Sequence, residues 1–110
     1  MVPARLRPLA TVCLPGLCER AYVAASPRAR LLGLALLEGL PAGHGLLIPR
    51  CRSVHTFGMR FALDVCFLDR DGRLVARRPA VPPNRVVGCR EAAAVLELPA
   101  RPMCRRDRRA

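Results

Sequence analysis

A chain of 110 residues with 52% hydrophobic content is long enough for one domain with its own core, and it holds no apolar run of the roughly 20 residues that cross a bilayer. The formal net charge is +11, and every basic residue is an arginine. These arginines are scattered, and aromatic residues, which stack on bases, make up only 4% of the chain, so nucleic acid is not the expected partner.

The two ends of the chain differ in composition from its middle. Residues 1–17 combine two arginines with a short apolar run over 9–14, which predicts a first strand. A cytoplasmic location is our default, and export with a signal peptide stays an alternative. Residues 102–110 are a basic tail, which we predict to be disordered and removable without unfolding the domain. The compact domain is predicted over 18–101.

The six cysteines do not predict a metal or redox centre. No C-x-x-C pair occurs, so neither a zinc knuckle nor a thioredoxin-type site is indicated, and we predict no cofactor and no metal. Cys66 lies among apolar residues of a predicted strand, where a free buried thiol behaves as a small hydrophobe.

A strand over 18–24 is predicted to lead into the one helix of the chain. Ser26 is a favourable N-cap and Pro27 suits the first helical position. The pattern predicts a helix that runs to about Leu37. Because leucine and alanine surround it on most sides, the helix is expected to be largely buried. Gly33 at its middle suggests close approach to another backbone.

The segment over 54–78 predicts a β-hairpin at the centre of the fold. Apolar residues occupy every odd position from Met59 to Phe67, a period of two that places one face of a strand in the core. A turn over 69–72, with glycine at its last position, precedes a second apolar run.

Short strands are predicted on both sides of the hairpin, over 45–48 and 92–98. The proline-rich segment 79–83 is predicted to be an exposed crossing rather than an inner strand. This pattern is typical of a mainly β fold: a small β-barrel or sandwich with one short helix packed against it, close to the α+β class.

Several blocks of the sequence, in order and with matching spacing over about residues 18–101, resemble the domain of unknown function family 192. They are RLLGLA (30–35), GLLI (45–48), HTFGMRF (55–61), LDV (63–65), FLD (67–69), Gly72 and VLELPA (95–100). The resemblance implies a small, mainly β fold with a short helix, in bacteria and archaea and sometimes exported, and no established activity. The chain departs from the family at Ala35, Ala62 and Arg101, and its basic tail replaces the closing segment of the family, which predicts an incomplete barrel edge.

Four residues form the candidate polar pocket: Arg30, His55, Asp64 and Glu97. The two carboxylates each interrupt an apolar strand, so they form either an acid/base pair or structural pairs with arginine. We favour structural pairing, with Arg30 as the expected partner. His55 also lies four residues from two possible soft-metal ligands, Cys51 and Met59, but on a strand four residues span roughly 13 Å, which no single ion bridges.

Two functions therefore stay open. The preferred interpretation is a non-enzymatic binding or accessory domain, for which a protein partner is one option among unknown ones. The alternative is a small hydrolase or a metal-dependent enzyme that uses His55, Asp64 and Glu97. Convergence of these groups in one pocket would favour the enzyme.

Overall fold

A computed structural model describes residues 1–100, which form a six-stranded sheet, a small two-stranded sheet and one short helix. No helix among these residues is long and apolar enough to span a membrane. The elements are β1 (Thr11–Leu14), β2 (Cys18–Val23), α1 (Pro27–Leu32), β3 (His44–Pro49), β4 (Ser53–His55), β5 (Leu63–Leu68), β6 (Leu74–Val81), β7 (Val86–Gly88) and β8 (Ala94–Pro99).

The large sheet has the strand order β1-β2-β3-β8-β5-β6, and β4 pairs with β7 in the small sheet. All neighbouring strands are antiparallel except β2 and β3, which are parallel and are connected through α1. Within residues 1–100 the outer strands β1 and β6 do not pair with each other, so the sheet is open rather than closed into a barrel. The predicted mainly β fold with one short helix is confirmed.

The predicted central hairpin is formed by β5 and β6, but it is buried more completely than the alternation indicates. All six residues of β5 are buried. Leu63, Val65 and Phe67 belong to the larger core, while Cys66 and Leu68 belong to a second core on the other face of the sheet. Both faces of this strand are therefore covered, whereas the sequence pattern predicted one.

The helix is shorter and more exposed than predicted. Ser26 caps it as expected, since its Oγ accepts a hydrogen bond from the Ala29 N–H, but α1 ends at Leu32 instead of about Leu37. Gly33 stops it with φ 53° and ψ −130°, a conformation that L side chains rarely adopt. None of the helical residues is buried, so the prediction of a buried helix is wrong.

The N-terminal segment is attached to the domain. Leu6 is buried in the larger core, and Nη2 of Arg5 donates to the carbonyl oxygens of Gly33 (3.0 Å) and Ala35 (2.7 Å). These carbonyls follow the helix and lack helical partners, so Arg5 provides the donors that they need. The predicted disordered tail, 102–110, lies outside the described residues.

Strand β6 continues through the segment that was predicted to be a crossing. It includes Pro79 and ends at Val81. Because β6 is an outer strand of the sheet in residues 1–100, a proline here removes no inner hydrogen bond of the sheet. The prediction of a crossing over 79–83 is therefore wrong for its first three residues.

Candidate functional site

The two predicted carboxylates lie on opposite faces of the sheet. In the β5–β8 pairing Asp64 stands opposite Leu98, and Glu97 stands opposite Val65. Successive side chains of a strand point to opposite faces, so this register separates the two carboxyl groups. They cannot act together on one substrate.

Asp64 is paired with arginine, but its partner is Arg77 and not Arg30. Its Oδ2 accepts from Nη2 of Arg77 at 3.2 Å, and its Oδ1 accepts from the Ala80 N–H at 2.8 Å. Both donors come from β6, the neighbouring strand. These bonds satisfy the buried carboxylate and give it a structural role.

Arg30 lies on α1 and bonds to backbone carbonyls. Its guanidinium donates to the carbonyl oxygen of Pro49 and, at 2.9 Å, to that of Arg50. The helix is thereby fastened to the end of β3. The predicted pairing of Arg30 with a carboxylate is wrong.

Arg30, His55 and Glu97 line one cleft of about 370 Å³, which we call the Glu97 cleft. It lies between α1 and β4, with β8 contributing Glu97. Apolar side chains of α1, β3 and β4 form much of its wall. Its volume is at the lower end of the range for small-molecule sites, roughly 300–1,000 Å³. Three of the four predicted residues are thus brought together.

Glu97 is the most unusual residue of this cleft. Its side chain is 1% exposed, and Oε1 has no hydrogen-bond partner within residues 1–100. Burial raises the pKa of the carboxyl to about 7, partly offset by the backbone N–H of Leu34. Near neutral pH the group therefore exists in both protonation states. It can accept a hydrogen bond when ionised and donate one when protonated.

Because Gly33 has no side chain, the carboxyl group of Glu97 can lie close to its backbone. A Cβ atom at this position would lie 3.1 Å from Oε1 of Glu97 and 3.6 Å from Cε of Met59. The close approach predicted for Gly33 therefore exists, but it is to a side chain rather than to another backbone. Any residue other than glycine would narrow the cleft beside the carboxyl group of Glu97.

His55 provides a donor and part of an aromatic surface. Its Nδ1 accepts from the Phe57 N–H at 3.2 Å, so the neutral ring carries its proton on Nε2. The imidazole stacks on the half-exposed ring of Phe57, with a centroid distance of 5.3 Å.

Two sulfur-containing residues also line the cleft. Cys51 and Met59 do so together with His55, because the chain turns at Gly58 instead of continuing as a strand. Sγ of Cys51 donates to the Ser53 carbonyl oxygen at 3.1 Å. Over residues 1–100, no three side chains of histidine, cysteine, aspartate or glutamate converge as a metal-binding group.

The sequence profile of DUF192, a family described as "Uncharacterized ACR", matches residues 12–107. The chain belongs to the DUF192 family. No curated protein matches this DUF192 chain.

Two solved structures resemble this DUF192 domain. A protein from Sinorhizobium meliloti 1021, described as a "putative transcription regulator", is 27% identical, with a TM-score of 0.67, over 74% of this chain and 68% of that one. A protein of unknown function from Novosphingobium aromaticivorans DSM 12444 is 16% identical, with a TM-score of 0.65, over 91% of this chain and 88% of that one. The second likeness concerns the fold alone.

Proposed function

We propose that this DUF192 domain is a non-enzymatic binding domain and that its ligand enters the Glu97 cleft. The observation that supports the proposal is the buried Oε1 of Glu97, which has no partner among the described residues. A buried polar atom left unsatisfied costs about 1–3 kcal/mol. A ligand that brings a hydrogen-bonding group to this atom would remove that cost on binding.

The enzyme alternative loses its main argument. It required His55, Asp64 and Glu97 in one pocket, and Asp64 lies on the other face of the sheet, bonded to Arg77. Glu97 and His55 by themselves suit ligand recognition, because each offers a hydrogen-bonding atom in a partly apolar cleft. The description of the Sinorhizobium protein as a "putative transcription regulator" also fits a domain that binds rather than catalyses.

A set of matched fragments tests the proposal. Each pair has a member with an N–H or O–H donor and a methylated member without it: acetamide with N,N-dimethylacetamide, 2-pyrrolidinone with N-methylpyrrolidinone, and phenol with anisole. Nuclear magnetic resonance of the full chain should show that donor fragments shift the backbone amide signals of Gly33, Val54 and Glu97. The methylated fragments should shift them much less.

Two variants complete this experiment. Glu97→Leu keeps the approximate side-chain volume and should abolish the preference for donors. Glu38→Gln removes an exposed carboxylate whose partner is Arg60 and should leave the preference unchanged. Equal shifts from both members of each pair, or an unchanged preference in Glu97→Leu, would contradict the proposed function.

A further inference from the structure

A second and larger cleft adjoins the Glu97 cleft. Its volume is about 770 Å³, and it is formed by three loops at one end of the sheet: β3–β4, β5–β6 and β7–β8. Backbone hydrogen bonds hold these loops together. The Cys51 N–H donates to Ala93 O (3.2 Å), the Ala93 N–H to Leu68 O (2.7 Å), and the Cys89 N–H to Arg52 O (2.8 Å). The side chains that line this cleft therefore stand on a fixed backbone.

The lining of this second cleft is strongly basic, and we call it the arginine cleft. Five arginines and two carboxylates line it, a balance of 5 − 2 = +3. The arginines are Arg30, Arg50, Arg52, Arg70 and Arg90. None of them forms a salt bridge within residues 1–100, where the two pairs found are Arg60–Glu38 and Arg77–Asp64.

The two carboxylates of the arginine cleft have other partners. Oδ1 of Asp69 accepts from the backbone N–H groups of Asp71 and Arg73, which closes the β5–β6 turn. Oε2 of Glu91 lies 3.7 Å from Sγ of Cys89. The positive charge of the cleft therefore has no carboxylate paired with it in the described part of the chain.

The two clefts are adjacent and share part of their wall. Arg30, Cys51 and Ser53 line both of them. Arg30 is held at the junction by its bonds to the carbonyl oxygens of Pro49 and Arg50. A guanidinium has five donors, so this fixed group keeps further N–H groups for a ligand.

We propose that the two clefts together bind one phosphorylated small molecule. Its phosphate group occupies the arginine cleft, and a hydroxyl or N–H group of its uncharged part bonds to Oε1 of Glu97. The forked guanidinium group matches phosphate oxygens in geometry and in charge. This inference rests on the proposed function of the Glu97 cleft and names the class of its ligand.

The charge distribution favours a ligand with one anionic end over the alternatives. A simple cation that approached Glu97 would be repelled by Arg30 and by the net positive charge of the neighbouring arginine cleft. A nucleic acid would bring phosphates along its whole length, including toward the carboxyl group of Glu97. Sugar phosphates and nucleotides carry phosphate at one end and neutral donors at the other, as the two clefts require.

Titration calorimetry of the full chain tests this assignment with ribose 5-phosphate, glucose 6-phosphate and adenosine monophosphate. At least one should bind, and more tightly than ribose, inorganic phosphate or adenosine. The triple variant Arg50→Gln, Arg52→Gln, Arg90→Gln should weaken that binding by about tenfold or more. A control with equal charge loss outside the clefts and their loops, Arg7→Gln, Arg20→Gln, Arg78→Gln, should change it by less than about twofold.

Glu97→Leu distinguishes the contribution that the uncharged part of the ligand makes to binding from the contribution of its phosphate group. It should reduce the affinity for the best phosphorylated probe to that for inorganic phosphate. Absence of binding by all three probes would overturn the inference, as would equal effects of the two triple variants. So would a DNA duplex that binds through the cleft arginines more tightly than every probe. If donor fragments still bind at Glu97 in those cases, the proposed function stands without this ligand class.

Discussion

Gly33 and Glu97 are in such close contact that a methyl group on Gly33 would lie 3.1 Å from Oε1 of Glu97. The glycine ends α1 at a positive φ of 53°, and the carboxyl group occupies the space that a side chain would fill. One residue thus both ends the helix and forms part of the wall of the Glu97 cleft.

We therefore expect Gly33→Ala to destabilise the domain through backbone strain and through contact with Glu97. Gly16→Ala is the control for a positive φ alone, because nothing lies within 4 Å of its added Cβ. Gly16→Ala should lower the free energy of unfolding by about 1–2 kcal/mol, and Gly33→Ala should lower it by about 1 kcal/mol more. Urea unfolding measures both. Equal losses would show that the Glu97 contact adds nothing.

Glu97→Gln should change stability in a pH-dependent way. The folded pKa of about 7 lies above the ordinary value of 4.5, so the folded state holds this proton more tightly than the unfolded state. The contribution of this tighter proton binding to the free energy of unfolding is fully present below pH 4.5 and is lost as the pH rises through 7. The glutamine side chain does not titrate. The free energy of unfolding of Glu97→Gln, relative to that of the parent, should therefore rise by about 2–3 kcal/mol between pH 4.5 and 8.

Urea unfolding of the parent and of Glu97→Gln at both pH values measures this gain. Glu38→Gln, at an exposed position, is the control and should show no such trend. A stability difference between parent and Glu97→Gln that stays constant with pH would contradict a raised pKa. The expected loss of stability of the parent with rising pH is opposite to the trend for a carboxylate that is held ionised by Arg30, which would lose stability as the pH falls.

Leu68→Ala should be as destabilising as Leu63→Ala, although the two residues face opposite sides of the sheet. Leu68 is 1% exposed and Leu63 is fully buried. Truncation of a buried leucine typically costs about 2–5 kcal/mol. Leu74→Ala, at a half-exposed position of β6, is the matched control and should cost less. A small loss for Leu68→Ala in urea would mean that the second core contributes little.

Asp64→Ala should cost more than Arg77→Ala. Removal of the carboxylate breaks its bond to the Ala80 N–H, and a hydrogen bond to a charged group contributes about 1.5–3 kcal/mol. Arg77 is half exposed, so its loss should cost less than about 1 kcal/mol. Chemical denaturation of both variants and of the double variant gives the coupling energy. The reverse order would show that the salt bridge, rather than the backbone bond, is the important contact.

Local patterns predicted much of the fold. Ser26 and Pro27 located the start of the helix, and the turn over 69–72 located the hairpin, because both depend on neighbouring residues. The end of the helix was missed since leucine and alanine continue past Gly33. What stops the helix there is the conformation of Gly33 beside Glu97, a contact between distant segments.

The candidate site was predicted in part. Glu97 was recognised as a lone charge within an apolar strand, a signal present in the sequence itself. Its separation from Asp64 depends on the register of β5 against β8, and a shift by one residue would reverse it. The arginine cleft was missed because its members come from α1 and three loops, so their charges look scattered along the chain.

The position of β8 also determines when the sheet can form during protein synthesis. This strand is the last in the described chain, yet it lies between β3 and β5. A nascent chain that ends before residue 94 therefore holds two separate groups of strands, each with an unpaired edge that other chains can contact. The sheet becomes continuous only when β8 has left the ribosome and inserted between them. Glu97 arrives on that same strand, so the cleft gains its carboxyl group in the step that joins the two halves of the sheet.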